Sequence, residues 1–211
     1  VEQSGQMETI GFDLYMEMLQ ESLAEIQGQD IPSVDDTQVD LPVTAFVPAD
    51  WITDPDEKIA AYRAAADCRC GEALVELAAS WADRYGALPA AVQSLLQLME
   101  LKLLAKRCGV ARIKPEKPNI VLETPMEEPA FRLLRQGLPQ HLHGRLVYQS
   151  GKALQHKVLA RGLGVLPMDK QLEQLMEWLR LMAAQIPDAD GTTAAQRLEA
   201  EGQRNEAVLR V

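Results

Sequence analysis

The chain has 211 residues, 47% of them hydrophobic, and a formal net charge of -10, enough for one hydrophobic core or one core with an appendage. No apolar run approaches the roughly 20 residues that a spanning helix needs, and Val1–Gly11 has no basic stretch leading into an apolar one, so neither a membrane helix nor export is expected. The three cysteines, Cys68, Cys70 and Cys108, are too few and odd in number for a disulfide scaffold. They fit a reducing compartment, and the cytoplasm is the expected location.

Val1-Glu2-Gln3-Ser4-Gly5 reads as the middle of a loop with no Met ahead of it, so a piece of a longer protein is expected. Met7 to Ile26 then shows helical periodicity, with Ile10, Leu14 and Met18 on one stripe and Tyr15, Leu19, Leu23 and Ile26 on the next. Asp13, Glu17, Glu21 and Glu25 follow at i+4 steps, each like-charge pair costing roughly a few tenths of a kcal/mol unless something positive faces it. Gly28 closes this helix, and 29–37, rich in Asp, Ser and Pro, reads as a linker. From Val1 to Glu57 there are fourteen acidic residues and no Lys or Arg, whereas 58–128 is nearly neutral.

Val39, Leu41, Val43, Ala45 and Val47 alternate through Gln38 to Pro48, which predicts a strand that Pro42 places near an edge. Asp54-Pro55 opens a helix to about Cys68, because Pro at the first helical position loses nothing by lacking an N–H. Gly71 to Tyr85 is the next helix, burying Leu74, Ala78, Trp81 and Tyr85, with Gly86 as a left-handed stop. Pro89 starts a third helix to Cys108 that is apolar nearly all round, as a central helix is.

Strands are predicted over Val110–Lys114, Asn119–Thr124, Arg145–Gln149 and Ala153–Leu159, with a short helix from Pro129 to Gly137 between the second and third. From Pro129 to Met168 there are six basic residues and no acid, a segment of opposite sign to the N-terminal quarter. Such separation serves internal pairing, docking on a second body, or weak attraction to nucleic acid. Pro167 opens the last helix, with Met168, Leu172, Leu175, Met176, Leu179, Met182 and Ile186 on one face, and 187–211 reads as a mobile tail or frayed helix. The order predicts an α+β fold: a helix-rich domain over 38–186 with a small mixed or antiparallel sheet, preceded by a long connecting helix.

No catalytic constellation stands out. Ser150-Gly151-Lys152 and Gly162-Leu163-Gly164 lack the glycines and the hydroxyl residue of a phosphate-cradling loop, so no ATP site is expected in this piece. Cys68-Arg69-Cys70 and His141-Leu142-His143 depart from the C-x2-C spacing of structural zinc sites, and no acid lies near the histidines in sequence to orient one as a base. Arg132, Arg135, Arg145, Lys152, Lys157 and Arg161 are candidates for salt-dependent contact with phosphates, set against an acidic chain with few aromatics in that segment.

Gln3-Ser4-Gly5-Gln6-Met7-Glu8-Thr9-Ile10-Gly11-Phe12-Asp13-Leu14-Tyr15 and the turn Asp83-Arg84-Tyr85-Gly86-Ala87-Leu88-Pro89 closely resemble the C-terminal region of bacterial transcription-repair coupling factors. The resemblance implies that 1–28 is the end of a motor translocation motif plus a connecting helix, with Gln3, Ser4 and Gly5 a stranded remnant of that motif. It implies a parent that uses ATP and Mg to translocate on double-stranded DNA, displaces stalled RNA polymerase and recruits UvrA. It further implies that this domain docks on a UvrB-like N-terminal module and masks the surface UvrA must reach. Asp83 then inherits an acidic contact, and the family's other acid one turn earlier is Ser80 here. Helical periodicity by itself sets Glu72, Glu76, Ser80 and Asp83 on the face opposite Leu74, Trp81 and Tyr85, open to a basic partner, with Arg84 a further partner-binding candidate.

Overall fold

The structure, a computed structural model, describes residues 29–187, 193–194 and 196–199. Gln3, Ser4, Gly5 and the expected connecting helix lie outside the described residues, as does most of the expected tail. In chain order the elements are strand β1 (Gln38–Val39), helices α1 (Pro55–Asp67), α2 (Gly71–Tyr85) and α3 (Ala90–Arg107), and strands β2 (Arg112–Glu116) and β3 (Asn119–Thr124). Helix α4 (Glu128–Arg135), strands β4 (Leu146–Gln149) and β5 (His156–Ala160), and helix α5 (Met168–Ala183) follow. Two 3-10 turns that pattern did not predict, Gln140–Arg145 and Leu163–Val165, lead into β4 and α5.

The sheet runs β1-β2-β3-β5-β4 and is mixed: β1 lies parallel to β2 and the other pairs are antiparallel. Its register sets Ile120, Leu122 and Thr124 opposite Ala160, Val158 and His156. All six are buried on one face, as the two-residue period of a strand requires. Leu172, Leu175, Met176 and Leu179 of α5, with Phe131 and Leu134 of α4, join that face in one large core. A smaller core gathers Val47, Ile52, Ala61, Ala65 and Trp81. Helix α3 serves both, with Val92 and Leu95 in the small core and Leu101 and Ala105 in the large one. Its side chains are apolar nearly all round because its two halves face different neighbours.

The strand predicted over Gln38–Pro48 is corrected by the structure. Only Gln38 and Val39 pair with a neighbour. Pro42 has no N–H to give, and the Val43 N–H turns back onto the Leu41 carbonyl at 2.8 Å, a three-residue turn that leaves the ladder. The alternation survives as burial: Leu41 and Val47 are buried while Pro42, Thr44 and Phe46 face out. The fourth predicted strand also begins later than expected, at His156, because Ala153 and Leu154 hold positive φ of 52° and 58°.

Residues 29–37, read as a linker, lie against the domain. Thr37 is fully buried and its Oγ1 donates to the Val110 carbonyl at 2.7 Å. Pro32 sits against Gly109, whose φ of 71° favours glycine and whose added Cβ would meet the Pro32 ring at 2.9 Å. Gly109→Ala is therefore expected to cost about 1–3 kcal/mol in urea unfolding. A cost below about 0.5 kcal/mol would contradict this packing.

A buried thiol and a half-buried phenol set the alkaline limit. Burial pushes the Cys108 thiol up to about 12. Tyr148 is likewise pushed up to about 12, first by burial and then by Glu127 and Glu128. Both keep their protons in the folded chain at pH values where the unfolded chain, with ordinary values of 9.0 and 10.0, has released them. The stability they contribute is complete below the unfolded values and is lost as pH rises through the folded ones. Urea midpoints are expected to be flat to about pH 8.5 and to fall by pH 11, with a shallower fall in a Cys108→Ala, Tyr148→Phe double variant.

Candidate docking face

Helices α1 and α2 hold the face through their shared underside. Asp54 caps α1 by accepting the Asp56 N–H at 2.9 Å. The Val47 N–H donates to Tyr62 Oη at 2.8 Å and ties the preceding extended segment to α1. Beneath α2, Trp81 meets Trp51 edge to face at 6.1 Å, and Trp51 meets Tyr85 at 5.4 Å. Leu74 and Trp81 are the buried residues of this helix, while Ala78 and Tyr85 are half-buried. Gly86 stops α2 with φ 85° and ψ −167°, which differs from the left-handed helical stop predicted and is a region open to glycine.

The opposite side of α2 is acidic. At about 100° per residue, Glu72, Glu76 and Asp83 fall within a narrow sector facing away from Trp81, and all three are exposed. No Lys or Arg occurs between Gly71 and Asp83. Among the described residues, neither Glu76 nor Asp83 forms an ion pair. The Glu72 carboxyl is held below its ordinary value by its own backbone N–H and by Cys70. A helix fixed on one side by two tryptophans thus presents carboxylates to the outside.

The other two candidates sit differently. Arg84 pairs with Glu57 of α1, its guanidinium lying 5.2 Å from the Tyr85 ring centre. It braces α1 against α2. Ser80 is exposed but turned toward α1, lining the same small cleft as Glu57 and Arg84. Val75, which the sequence reading passed over, is 70% exposed between Glu72 and Glu76. Its signal was its place on the acidic side of an otherwise regular amphipathic pattern.

The six basic candidates do not converge. Arg145 and Arg161 flank one end of the β4–β5 pair, where the Arg161 N–H donates to the Arg145 carbonyl at 2.8 Å. Lys157 lies at the other end opposite Gln149, with Lys152 in the loop beyond, about 13 Å away at strand rise. Arg132 pairs with Glu128 at 3.3 Å, Arg135 covers the Phe131 ring, and Arg145 covers Trp178. Three of the six cations are thus engaged with side chains of the fold itself.

Of the metal-ligand candidates, Cys68 Sγ donates to the Ala64 carbonyl at 3.3 Å, and His143 Nε2 lies 2.8 Å from the Leu138 carbonyl. His156 Nδ1 accepts the Gly151 N–H at 3.0 Å. Among the described residues no three His, Cys, Asp or Glu side chains gather as ligands, and no helix is long and apolar enough to cross a membrane.

Comparison with known proteins gives this geometry a family context. Residues 41–131, which include α1, α2 and α3, match the family model of the TRCF domain. The chain is 32% identical over 149 residues to a transcription-repair-coupling factor of Escherichia coli K12, covering 66% of this chain and 13% of the relative. It is 37% identical over 117 residues to the Haemophilus influenzae Rd protein of the same name, covering 53% of this chain and 10% of the relative. The chain therefore spans only a small fraction of the length of these relatives. Its fold is similar to a crystal structure of the C-terminal domain of transcription-repair coupling factor, with a TM-score of 0.56 at 19% identity, covering 72% of this chain and 95% of that one.

Proposed function

We propose that the chain, whose residues 41–131 match the family model of the TRCF domain, is a docking domain whose acidic α2 face seats on a basic, UvrB-like module of the same longer protein. Seated there, it masks the surface UvrA must reach and so keeps the parent inactive. In this reading the parent is a cytoplasmic, ATP-dependent DNA translocase that displaces stalled RNA polymerase, and this piece restrains rather than catalyses.

The observation that supports it is the exposed trio Glu72, Glu76 and Asp83 on a helix locked from beneath by Trp81. Coulomb attraction of exposed charges is weak singly. Linkage within one chain raises the effective concentration, so weak docking still excludes a competitor until motor rearrangement separates the two.

The test adds the chain to an isolated UvrB-like module and measures UvrA binding. Competition that rises with chain concentration is expected. UvrA binding unchanged at saturating, folded chain removes the masking role.

A further inference from the structure

The loop between β4 and β5, residues 150–155, is tied down by a side chain beneath it. Gly151 turns so tightly that an added Cβ would meet the Gln155 carbonyl oxygen at 1.8 Å, and the Gln155 N–H donates to the Lys152 carbonyl at 3.1 Å. Ala153 and Leu154 hold positive φ of 52° and 58°, a backbone conformation that neither side chain favours. The anchor is His156, 5% exposed, whose Nδ1 accepts the Gly151 N–H at 3.0 Å.

That bond fixes where the ring carries its proton. With Nδ1 accepting, the neutral imidazole has its hydrogen on Nε2, and Nε2 is buried with no partner among the described residues. The closed loop thus already leaves one donor unmet. A second proton turns Nδ1 into a donor facing the Gly151 N–H, so the anchoring bond is lost and a charge is buried. The neighbours do not compensate. From β3, Thr124 stands opposite His156 with its hydroxyl donating to the Gly109 carbonyl, and Glu123 beside it is paired with Lys114 at 2.7 Å. From β4, the Tyr148 ring lies 5.6 Å away with its hydroxyl donating to the Met126 carbonyl. Glu127 and Glu128 bear on Tyr148 from the start of α4, and Glu128 is paired with Arg132. Lys152 in the loop and Lys157 next to His156 form no ion pair among the described residues, and they add positive charge.

We infer that loop 150–155 is a proton-operated flap, shut on neutral His156 and opened when the imidazole takes a second proton. Opening releases Ala153 and Leu154 from their strained backbone and lets water reach both ring nitrogens. Leu154 and Gln155 line a hollow of about 480 Å³ with Ala111, Thr124 and Pro125, which gives the loop room to move. No residue of α2 lines that hollow, so the flap is separate from the docking face and goes beyond it. Closure is present on the alkaline side and lost as pH falls. Acid then changes what this end of the sheet offers, from a closed turn to a mobile loop carrying Lys152 above an open imidazolium.

The test follows the isotope-labelled chain by NMR from about pH 8 to about pH 5. The His156 ring signals and the amides of Gly151, Ala153 and Leu154 are expected to shift with one common midpoint. Gly151 amide exchange, corrected for its intrinsic pH dependence, is expected to rise about tenfold or more, while β3 amides keep their protection and so separate flap opening from acid unfolding. Gly151→Ala, whose Cβ forces the loop arms apart, shows the open-loop signals already at about pH 8. His156→Gln, whose amide oxygen can accept the same Gly151 N–H, keeps the loop shut to about pH 5. The proposal is overturned if His156 titrates with the Gly151 amide unmoved, if His156 does not titrate in this range while the chain stays folded, or if the loop opens equally in His156→Gln. The first two outcomes need no variant, so a substitution that fails to fold leaves the test intact.

Discussion

Trp81→Ala is expected to lower the unfolding free energy by about 3–5 kcal/mol, the usual range for emptying the place of a buried aromatic ring. Trp81 is 5% exposed and its ring supports Trp51, which in turn supports Tyr85. Loss of the Trp81 ring removes part of the common floor of α1, α2 and the Val47–Ile52 segment. The damage falls mainly on the small core, because the sheet packs against α4 and α5 in a separate cluster. Hydrogen exchange is expected to show amides of α1 and α2 losing protection while β3 and β5 keep theirs. Trp51→Phe is the gentler control, since the buried Trp51 Nε1 has no acceptor among the described residues to lose. A Trp81→Ala chain within about 1 kcal/mol of the parent sequence, or one whose sheet opens together with α2, would contradict the two-core reading.

What the sequence made legible follows from the range over which each signal acts. The helix caps are local: Asp54-Pro55, Gly71, Gly86 and Pro167 mark ends that the structure places within about one residue of expectation. The acidic sector of α2 was legible for the same reason, since a 3.6-residue period needs no knowledge of neighbours. Pairing is not local. The alternation from Val39 to Val47 marks burial along an extended chain, and nothing in it reveals that Val43 turns back on Leu41 or that only Gln38 and Val39 of this segment pair with β2. Arg84 shows the same limit at the site, because the carboxylate it pairs with, Glu57, is 27 residues away on another helix. The six cations from Arg132 to Arg161 are neighbours in sequence, yet the hairpin and α4 spread them across the domain.

Reversing two charges, Glu76→Lys with Asp83→Lys, is expected to weaken competition against UvrA by roughly tenfold or more at low salt. Each change replaces an attraction toward a basic surface with a repulsion, so the pair counts more than removal by alanine. Both side chains are exposed and neither holds an ion pair among the described residues. The fold does not depend on them, and circular dichroism is expected to be unchanged. At about 1 M salt, where the screening length is near 3 Å, the difference between variant and parent sequence is expected to shrink toward nothing. Ser80→Glu is expected to give a smaller gain than its added charge suggests, because a carboxylate there lies one turn before Arg84 and competes with Glu57 for the same guanidinium. A doubly reversed chain that competes as well as the original at low salt would remove the electrostatic basis of docking.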